Sequence, residues 1–309
     1  MKSSRKLMRT LSSRKLMRTL NKQRQVSDMV IPTPLEQARD LQHEIAELRQ
    51  TLKQIPEPSF SEQQTSAFIV DKLKSWGFGV APVAHSNSLV AKVGNGKSVT
   101  MFATMDALLV SYAPTASKDT VDSEPVLMHA CGHDGNMACV MAASRIVARR
   151  LRDRNSGILE VLMQSGSESS GEIDEARKIV ESGALESSIA ILGIHVDCTI
   201  RSGHAYVVRP PQLEENCQDI VELLYTSARD ILGENKVSIG NRLTYMHNFR
   251  HYLELVPGAM IYLGVGLPGN VHSHHSPDFL IDDSVLYLGT AILTEAALCL
   301  LNAKPKQLF

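Results

Sequence analysis

The alternation of apolar segments after residue 130 is the feature that most restricts the fold of this chain. Residues 137–151 have the apolar content of a helix, residues 158–163 that of a strand, residues 173–182 that of a helix and residues 189–194 that of a strand. Such alternation is typical of an α/β domain with a mainly parallel sheet. Three further elements are predicted downstream: helices at about 213–232 and 283–302, and a last strand at 259–264.

The folded part is predicted to begin at Thr33, where the sequence carries a helix start signal. Thr33 can cap a helix, Pro34 suits its first position, and Glu36 completes a capping box. Apolar residues then recur at three- and four-residue spacing, which predicts one helix up to residue 52. A second helix is predicted at 61–76, with Gly77 as its C-terminal cap.

Two apolar, β-branched segments follow, at 89–93 and 98–103. Gly94, Asn95 and Gly96 lie between them. This spacing predicts a β-hairpin.

The N-terminus carries a perfect duplication of nine residues, since residues 3–11 are repeated at 12–20. Residues 1–25 contain nine basic residues and no acidic one. Two copies are too few for a solenoid, so we predict a disordered arm at 1–32 and a catalytic domain at 33–309. A basic, acid-free arm has the composition of an organelle transit peptide, and a fortuitous extension is the alternative.

Charge and cysteine usage restrict the partners and the compartment. Without residues 1–25, 23 basic residues remain against 33 acidic ones, and such an acidic body is a poor surface for nucleic acid. The five cysteines are scattered, which predicts a reducing, cytoplasmic setting, or an organelle if the arm is a transit peptide. No uninterrupted run of eighteen apolar residues occurs, so we expect no membrane span.

The first candidate for chemistry is the pair Cys131 and His133, just ahead of the predicted helix at 137–151. If this segment is extended, residues two apart point to the same side, and a thiolate and an imidazole can converge on one metal ion. A buried cysteine beside a helix-capping histidine is the structural alternative. Further potential ligands follow predicted strands, where open α/β sheets bind their ligands. They are Glu168, His195, His272, His274 and His275.

Several short motifs occur in the order known from one family. The chain resembles the M20-type metallopeptidases and amidohydrolases, specifically the branch that hydrolyses N-acyl amino acids and hippurate-like amides. The resemblance covers about residues 41–301. It is carried by the strings PEPSF at 56–60, MDAL at 105–108, HACGHD at 129–134, QSGSE at 164–168, ESGAL at 181–185, GIH at 193–195, VPG at 256–258 and HSP at 275–277.

The resemblance implies a zinc-peptidase-like fold, a three-layer α/β sandwich with a mainly parallel mixed sheet. It also implies two divalent ions, Zn²⁺ or Mn²⁺, and hydrolysis of the amide bond of small N-acyl amino acids or dipeptide-like amides. Carried over position by position, the five metal ligands are Cys131, His133, Glu168, His195 and His275. The structural alternatives are a solvated loop acid for Glu168 and a polar surface loop for His272 and His274.

The chain departs from the family at the catalytic base. The family has two adjacent glutamates in this loop, and the first is the general base, whose position is Ser167 here. A serine hydroxyl cannot accept that proton, and loss of a general base typically costs ~10²–10⁴-fold in rate. Glu172 in the same loop is the candidate substitute, and Asp106 is expected to support a ligand from behind. Thr104 and Asn136 replace a family aspartate and histidine.

The largest departure is a missing insertion. The family carries a lid domain of roughly a hundred residues, which also dimerises, at the place where residues 203–211 stand here. Without it we expect an open site, a loosely held substrate and no usual dimer contact, which leaves the oligomeric state open. Low hydrolytic activity is therefore expected. A non-catalytic metal-binding relative and a structural or interaction remnant are the two alternative functions.

Overall fold

A computed structural model describes residues 31–83, 85–111, 124–154, 157–168, 175–209, 215–240, 248–269 and 273–303. Most of the predicted N-terminal arm, Glu172 and His272 lie outside the described residues.

A mixed sheet of eight strands forms the centre of the domain, with the spatial order β1-β2-β6-β3-β7-β10-β8-β9. The central strands β6, β3, β7 and β10 run parallel to one another, while β2 joins β6 and β8 joins β10 in antiparallel pairs. A separate pair, β4 and β5, leads into the segment at 129–134. The strands are β1 (Gly79–Pro82), β2 (Leu89–Asn95), β3 (Ser98–Thr104), β4 (Leu108–Val110), β5 (Val126–Met128), β6 (Gly157–Gln164), β7 (Ser188–Arg201), β8 (Ala205–Val208), β9 (Val237–Gly240) and β10 (Gly258–Gly266).

Helices cover both faces of this sheet. The described α-helices are α1 (Pro34–Asp40), α2 (Gln42–Lys53), α3 (Gln63–Ser75), α4 (His133–Arg154), α5 (Glu175–Glu181), α6 (Glu215–Leu232), α7 (Phe249–Leu253) and α8 (Leu286–Asn302). The predicted succession of helix, strand, helix and strand after residue 130 is confirmed by α4, β6, α5 and β7.

Alternate residues of the central strands enter two different cores. In β10, Ile261 and Leu263 belong to the larger core with α4, α6 and α8, whereas Met260 and Tyr262 belong to a smaller core with α5 and α7. Side chains alternate between the faces of a strand, so the sheet is buried on both sides. This arrangement confirms the predicted α/β sandwich with a mainly parallel mixed sheet.

The predicted hairpin at 89–103 is wrong. Strands β2 and β3 do not pair with each other, because β6 lies between them and pairs with both. The two glycines serve a different purpose: the connection passes closely over the start of β6. A Cβ on Gly94 would lie 2.2 Å from the carbonyl oxygen of Gly157, and one on Gly96 would lie 3.2 Å from its nitrogen.

The first predicted helix is divided in two. Its start is as expected, because Thr33 and Glu36 form the capping box. The helix is interrupted at Leu41, whose N–H donates to the carbonyls of Gln37 and Ala38 in a tight turn. The break lets α1 pack on α8 while α2 packs on α4, so tertiary packing overrides the continuous apolar pattern.

The segment Asp283–Asn302, which contains α8, is long and apolar enough to cross a membrane by length and composition. Core helices have the same properties, and 72% of its most apolar window is buried inside the domain. Its buried position against α4 therefore accounts for its apolar character.

Candidate metal centre

The candidate site begins in a tight turn that joins β5 to α4. Gly132 has φ +82°, and a Cβ there would lie 2.3 Å from Cγ2 of Val196. The segment is therefore not extended at this point. The left-handed glycine nevertheless brings Cys131 and His133 to the same side, since both donor atoms fall within one group of three with His195.

Asp106 fixes the orientation of the His133 ring from behind. His133 Nδ1 lies 2.8 Å from the backbone oxygen of Asp106 and 3.4 Å from its Oδ1. Because Nδ1 is engaged with these oxygens, Nε2 is the nitrogen that faces the site, 3.4 Å from Oε1 of Glu168. These contacts support the prediction that Asp106 positions a metal ligand, which stays a prediction.

The same carboxylate also anchors the loop after β6. Asp106 Oδ1 accepts a hydrogen bond from Ser167 Oγ at 2.6 Å, and Oδ2 accepts from Glu168 N and from Ser59 Oγ, each at 2.7 Å. Burial opposes ionisation of Asp106, but the nearby His133 and these donors outweigh it and lower its pKa to about 2. Asp106 thus holds His133 mainly through its backbone oxygen and Glu168 through its buried carboxylate.

His195 lies inside β7 and not after its end, because the strand continues to Arg201. Its partner β3 stops pairing at Gly193, so His195 still faces the carboxyl edge of the sheet. His195 Nδ1 donates to the Val196 carbonyl at 2.7 Å, and Nε2 lies 3.5 Å from Cys131 Sγ. Burial, with His133 and His274 nearby, lowers the pKa of His195 to about 3, so the imidazole is neutral, as a metal ligand must be.

Glu168 and His275 complete the candidate ligand set. Glu168 Oε2 lies 3.6 Å from His275 Nε2. His275 has φ +64°, a strained conformation for a residue other than glycine, and its N–H donates to the carbonyl of Ala130 at 2.9 Å. This hydrogen bond holds the loop that carries His275 against the turn that carries Cys131.

The five donors form two groups of three that share one thiol. Cys131, His133 and His195 form one group, and Cys131, Glu168 and His275 form the other, with all donor atoms of each group within 4.8 Å of one another. Donors ~2.0–2.3 Å from a tetrahedral ion lie roughly 3.3–3.6 Å apart. Within the groups, the distance of 3.5 Å between Cys131 Sγ and His195 Nε2 and that of 3.6 Å between Glu168 Oε2 and His275 Nε2 fit this range. The residues present therefore fit a pair of divalent ions, which these five side chains would hold once the Cys131 thiol is deprotonated.

Deprotonation of that thiol has a cost in the absence of an ion. Burial raises the pKa of Cys131 to about 11. A bound cation stabilises the thiolate, so metal binding at this centre should strengthen as the pH rises.

A cavity of about 220 Å³ opens over these donors. Its wall is apolar on the side of the smaller core, where Phe102, Phe249 and Met260 line it, and polar where Asn248 donates to the backbone oxygen of Ser167 at 3.3 Å. Ser167 also lines the cavity, so the substituted base position faces the site.

Two structural contributors were not predicted from the sequence. Asp134 of the HACGHD string accepts from Arg49 Nε at 2.7 Å, and Arg49 Nη1 donates to Asp283 at the same distance. Asn136, at the position of a family histidine, accepts from Val196 N at 2.8 Å and so ties α4 to β7. The partners are distant in sequence, and no local signal connects them.

The profile of Peptidase family M20/M25/M40 matches residues 103–298, more than half of the chain. The chain belongs to this family. All five candidate ligands lie within the matched region.

The M20 chain is 29% identical over 168 residues to an N-acyl-L-amino acid amidohydrolase of Geobacillus stearothermophilus, an alignment covering 53% of this chain and 44% of that protein. It is 30% identical over 161 residues to the N-acetyl-L-cysteine deacetylase of Bacillus subtilis strain 168, covering 50% and 36%. The chain thus spans less than half the length of these curated relatives.

Solved structures share the fold. A dinuclear metal-binding peptidase of the M20 family from Bacillus subtilis superposes with a TM-score of 0.66 at 16% identity, covering 86% of this chain and 99% of that one. The LapA aminopeptidase of Legionella pneumophila gives 0.64 at 12% identity, covering 93% and 80%. At these identities the likeness establishes the α/β fold with its mainly parallel mixed sheet and nothing finer.

Proposed function

We propose that this M20 chain is a metal-dependent hydrolase that cleaves the amide bond of small N-acyl amino acids or dipeptide-like amides, with low activity. The observation that carries the proposal is the shared thiol: Cys131 belongs to both three-donor groups at the floor of one cavity. Two relatives of the same family are named for cleavage of N-acyl amino acids, which supports this substrate class.

Two divalent ions, Zn²⁺ or Mn²⁺, would supply Lewis acidity toward an amide carbonyl and lower the pKa of water. The residues that would hold them are Cys131, His133, Glu168, His195 and His275. Asp106 keeps His133 and the Glu168 loop in position through the hydrogen bonds described above. The apolar wall at Phe102, Phe249 and Met260 offers a dry surface for an acyl group.

The proton acceptor is the weak part of this machinery. Ser167 stands at the position of the family's general base, and its hydroxyl is already donated to Asp106. Glu168 is engaged with His133 and His275. Glu172 is our candidate acceptor, outside the described residues. We propose low activity because neither Ser167 nor Glu168 is available to accept the proton.

The missing lid is the second reason for low activity. Strand β8 ends at Val208 and α6 begins at Glu215, so only residues 209–214 separate them. This short connection supports the proposed loss of the inserted lid. We accordingly propose an open site and a subunit without the family's lid-mediated dimer contact.

The proposal is tested by incubating the purified chain with a panel of N-acyl amino acids in the presence of Zn²⁺ or Mn²⁺. We expect release of free amino acid that Cys131→Ala abolishes. The matched control is Cys139→Ala, which removes a buried thiol of α4 whose partner is the carbonyl of Leu286. Turnover in wild type no greater than in Cys131→Ala would overturn the proposal.

A second candidate function is a non-catalytic metal-binding relative. It is favoured by one observation, the 2.6 Å hydrogen bond that commits the Ser167 hydroxyl to Asp106. It predicts two bound ions per chain and no turnover on any member of the same panel. Elemental analysis of the purified chain separates it from a structural remnant, which would bind no metal.

A further inference from the structure

A third cluster of potential metal donors lies beside the first. Asp197, Cys198 and His274 bring a carboxylate, a thiol and an imidazole within 4.8 Å of one another, and all three residues are buried. Thiolate, imidazole and carboxylate together form a donor set typical of zinc. None of the three belongs to the ligand set implied by the family resemblance.

The spacing of the donors fits coordination better than a direct ion pair. His274 Nε2 lies 3.5 Å from Asp197 Oδ1. Charge-assisted hydrogen bonds are typically ~2.7–2.9 Å long, whereas two ligands of one tetrahedral ion lie roughly 3.3–3.6 Å apart. Phe279 packs against the His274 ring with centroids 5.2 Å apart, which fixes the ring in this place.

The local backbone explains how two consecutive residues of a strand can serve one ion. Asp197 pairs with Gly264 of β10, but the next registered pair joins Arg201 to Gly266, so β7 carries extra residues at this point. Such an irregularity breaks the alternation that would direct Asp197 and Cys198 to opposite faces, and bulges often re-aim side chains beside functional sites.

The same irregularity fixes the carboxylate. Thr199 donates to Asp197 Oδ1 from its backbone nitrogen at 2.8 Å and from its hydroxyl at 2.6 Å. The carboxylate is thus held by its own strand before any ion arrives, which reduces the ordering cost of binding.

We propose that Asp197, Cys198 and His274 bind one further divalent ion, of the zinc type, which ties the loop at 273–276 to strand β7. His274 directly precedes His275, and Asp197 follows His195 by two residues. An ion here therefore holds two ligands of the candidate centre in place. The site itself stands without the proposed hydrolase activity, and only its positioning role depends on that proposal.

The experiment measures the number of zinc ions bound per full-length chain in a variant whose candidate centre, with Cys131 and Glu168, is disabled. Cys131→Ala with Glu168→Ala removes the shared thiolate and the carboxylate. We expect this double variant to retain about one tightly held zinc ion after dialysis. Adding Cys198→Ala should remove it, and adding Cys139→Ala, as the matched control, should not.

Cobalt(II) loading provides a second readout, because a thiolate bound to cobalt gives a charge-transfer absorption. The double variant should show this band, and its loss should follow Cys198→Ala. A double variant that binds no zinc, or a triple variant that keeps the ion and the band, overturns the proposal. If Cys198→Ala fails to fold, as judged by circular dichroism, Asp197→Asn and His274→Gln in the double variant decide by the same readouts.

The outcomes for this site and for the proposed hydrolase are separable. A chain without turnover whose double variant still holds zinc through Cys198 refutes the hydrolase and supports the third site. Turnover that requires Cys131, together with a double variant that binds no zinc, supports the hydrolase and refutes the third site.

Discussion

Ser167 Oγ donates a 2.6 Å hydrogen bond to Oδ1 of Asp106, the buried residue whose backbone oxygen lies 2.8 Å from His133 Nδ1. Ser167, at the position that the family resemblance assigns to the general base, is thus hydrogen-bonded into the support of the candidate metal centre. A neutral hydroxyl is too weak a base to accept a proton at neutral pH, and the Asp106 carboxylate behind it, with a pKa of about 2, is also too weak a base to take that proton.

Replacing Ser167 by glutamate should therefore raise hydrolysis. We expect kcat for an N-acyl amino acid to increase ~10²-fold or more in Ser167→Glu, with little change in KM, because the carboxylate supplies a base and not a binding contact. Initial rates of amino acid release across a substrate range measure both constants.

The control for this gain is Ser167→Gln, which matches glutamate in size but cannot take the proton. It should stay at or below the wild-type rate. An equal gain in the glutamine and glutamate variants would show that size and not basicity limits the chain.

The Cys131 turn should depend on Gly132 more than an ordinary left-handed glycine position does. Gly132→Ala places a Cβ 2.3 Å from Val196 Cγ2 at φ +82°, whereas at Gly233, with φ +94°, a Cβ meets nothing within 4 Å. Both substitutions place an alanine in the left-handed conformation, which costs ~1–2 kcal/mol of folding free energy, but only Gly132→Ala adds a clash that displaces Cys131 or His133.

The measurements are zinc content per chain and the thermal midpoint. Gly132→Ala should lose bound metal and melt at a lower temperature than Gly233→Ala, which should keep its metal. Equal zinc content in the two variants would contradict the importance of this turn.

The five candidate ligands stay predictions, and the sequence could propose them because each lies in a short motif whose order the family shares. Cys131 and His133 are brought together by a glycine turn and not by an extended strand. The interaction of Arg49 with Asp134 was not predictable, because 85 residues separate the partners and only the packing of α2 on α4 joins them.

The hairpin error has a similar physical origin. Gly94 and Gly96 are a strong local signal for a turn between paired strands, yet a tight crossing over a third strand needs small residues for the same steric reason. The local sequence thus indicates where the chain turns. The pairing of β2 and β3 depends on β6, which lies more than fifty residues later in the chain and pairs with both strands.

Glu57 should stabilise the domain in a pH-dependent way. Its carboxylate accepts from Thr65 N at 2.8 Å, from Thr65 Oγ1 at 2.9 Å and from Gln64 N at 3.0 Å, at the start of α3. Burial raises the pKa of Glu57, but these donors outweigh it and leave the pKa below its ordinary value. The stabilisation is therefore complete above the unfolded-state pKa of about 4.3 and is lost as the pH falls through the folded-state value.

Glu57→Gln should lower the free energy of unfolding by ~1–2 kcal/mol at pH 7, and the difference from wild type should shrink below about pH 4. Urea unfolding over this pH range measures it. Glu47→Gln, at a side chain that is 66% exposed, is the control and should change little at any pH. A Glu57→Gln deficit that grew on acidification would have the wrong sign for this account.

Removal of the buried Arg49 side chain should lower the free energy of unfolding strongly. Its side chain is only 6% exposed and donates to Asp134 and Asp283, both at 2.7 Å, so it links α2 to the start of α4 and to the turn before α8. Arg49→Met leaves the fully buried Asp134 carboxylate without its cation, and breaking a buried pair in this way typically costs ~3–5 kcal/mol. Arg177→Met, in an exposed pair with Glu181, should cost less than ~1 kcal/mol.

A double-mutant cycle distinguishes loss of the charge pair from loss of packing. If the orphaned carboxylate is the cause, Arg49→Met with Asp134→Asn should be less destabilised than the sum of the two single variants, with a coupling of roughly 1–3 kcal/mol by urea unfolding. Strict additivity would mean that Arg49 acts through its aliphatic stem.

The Arg49→Met chain should also lose zinc affinity together with stability. Asp134 accepts from Gly135 N at 2.9 Å at the first turn of α4, and the same turn carries His133.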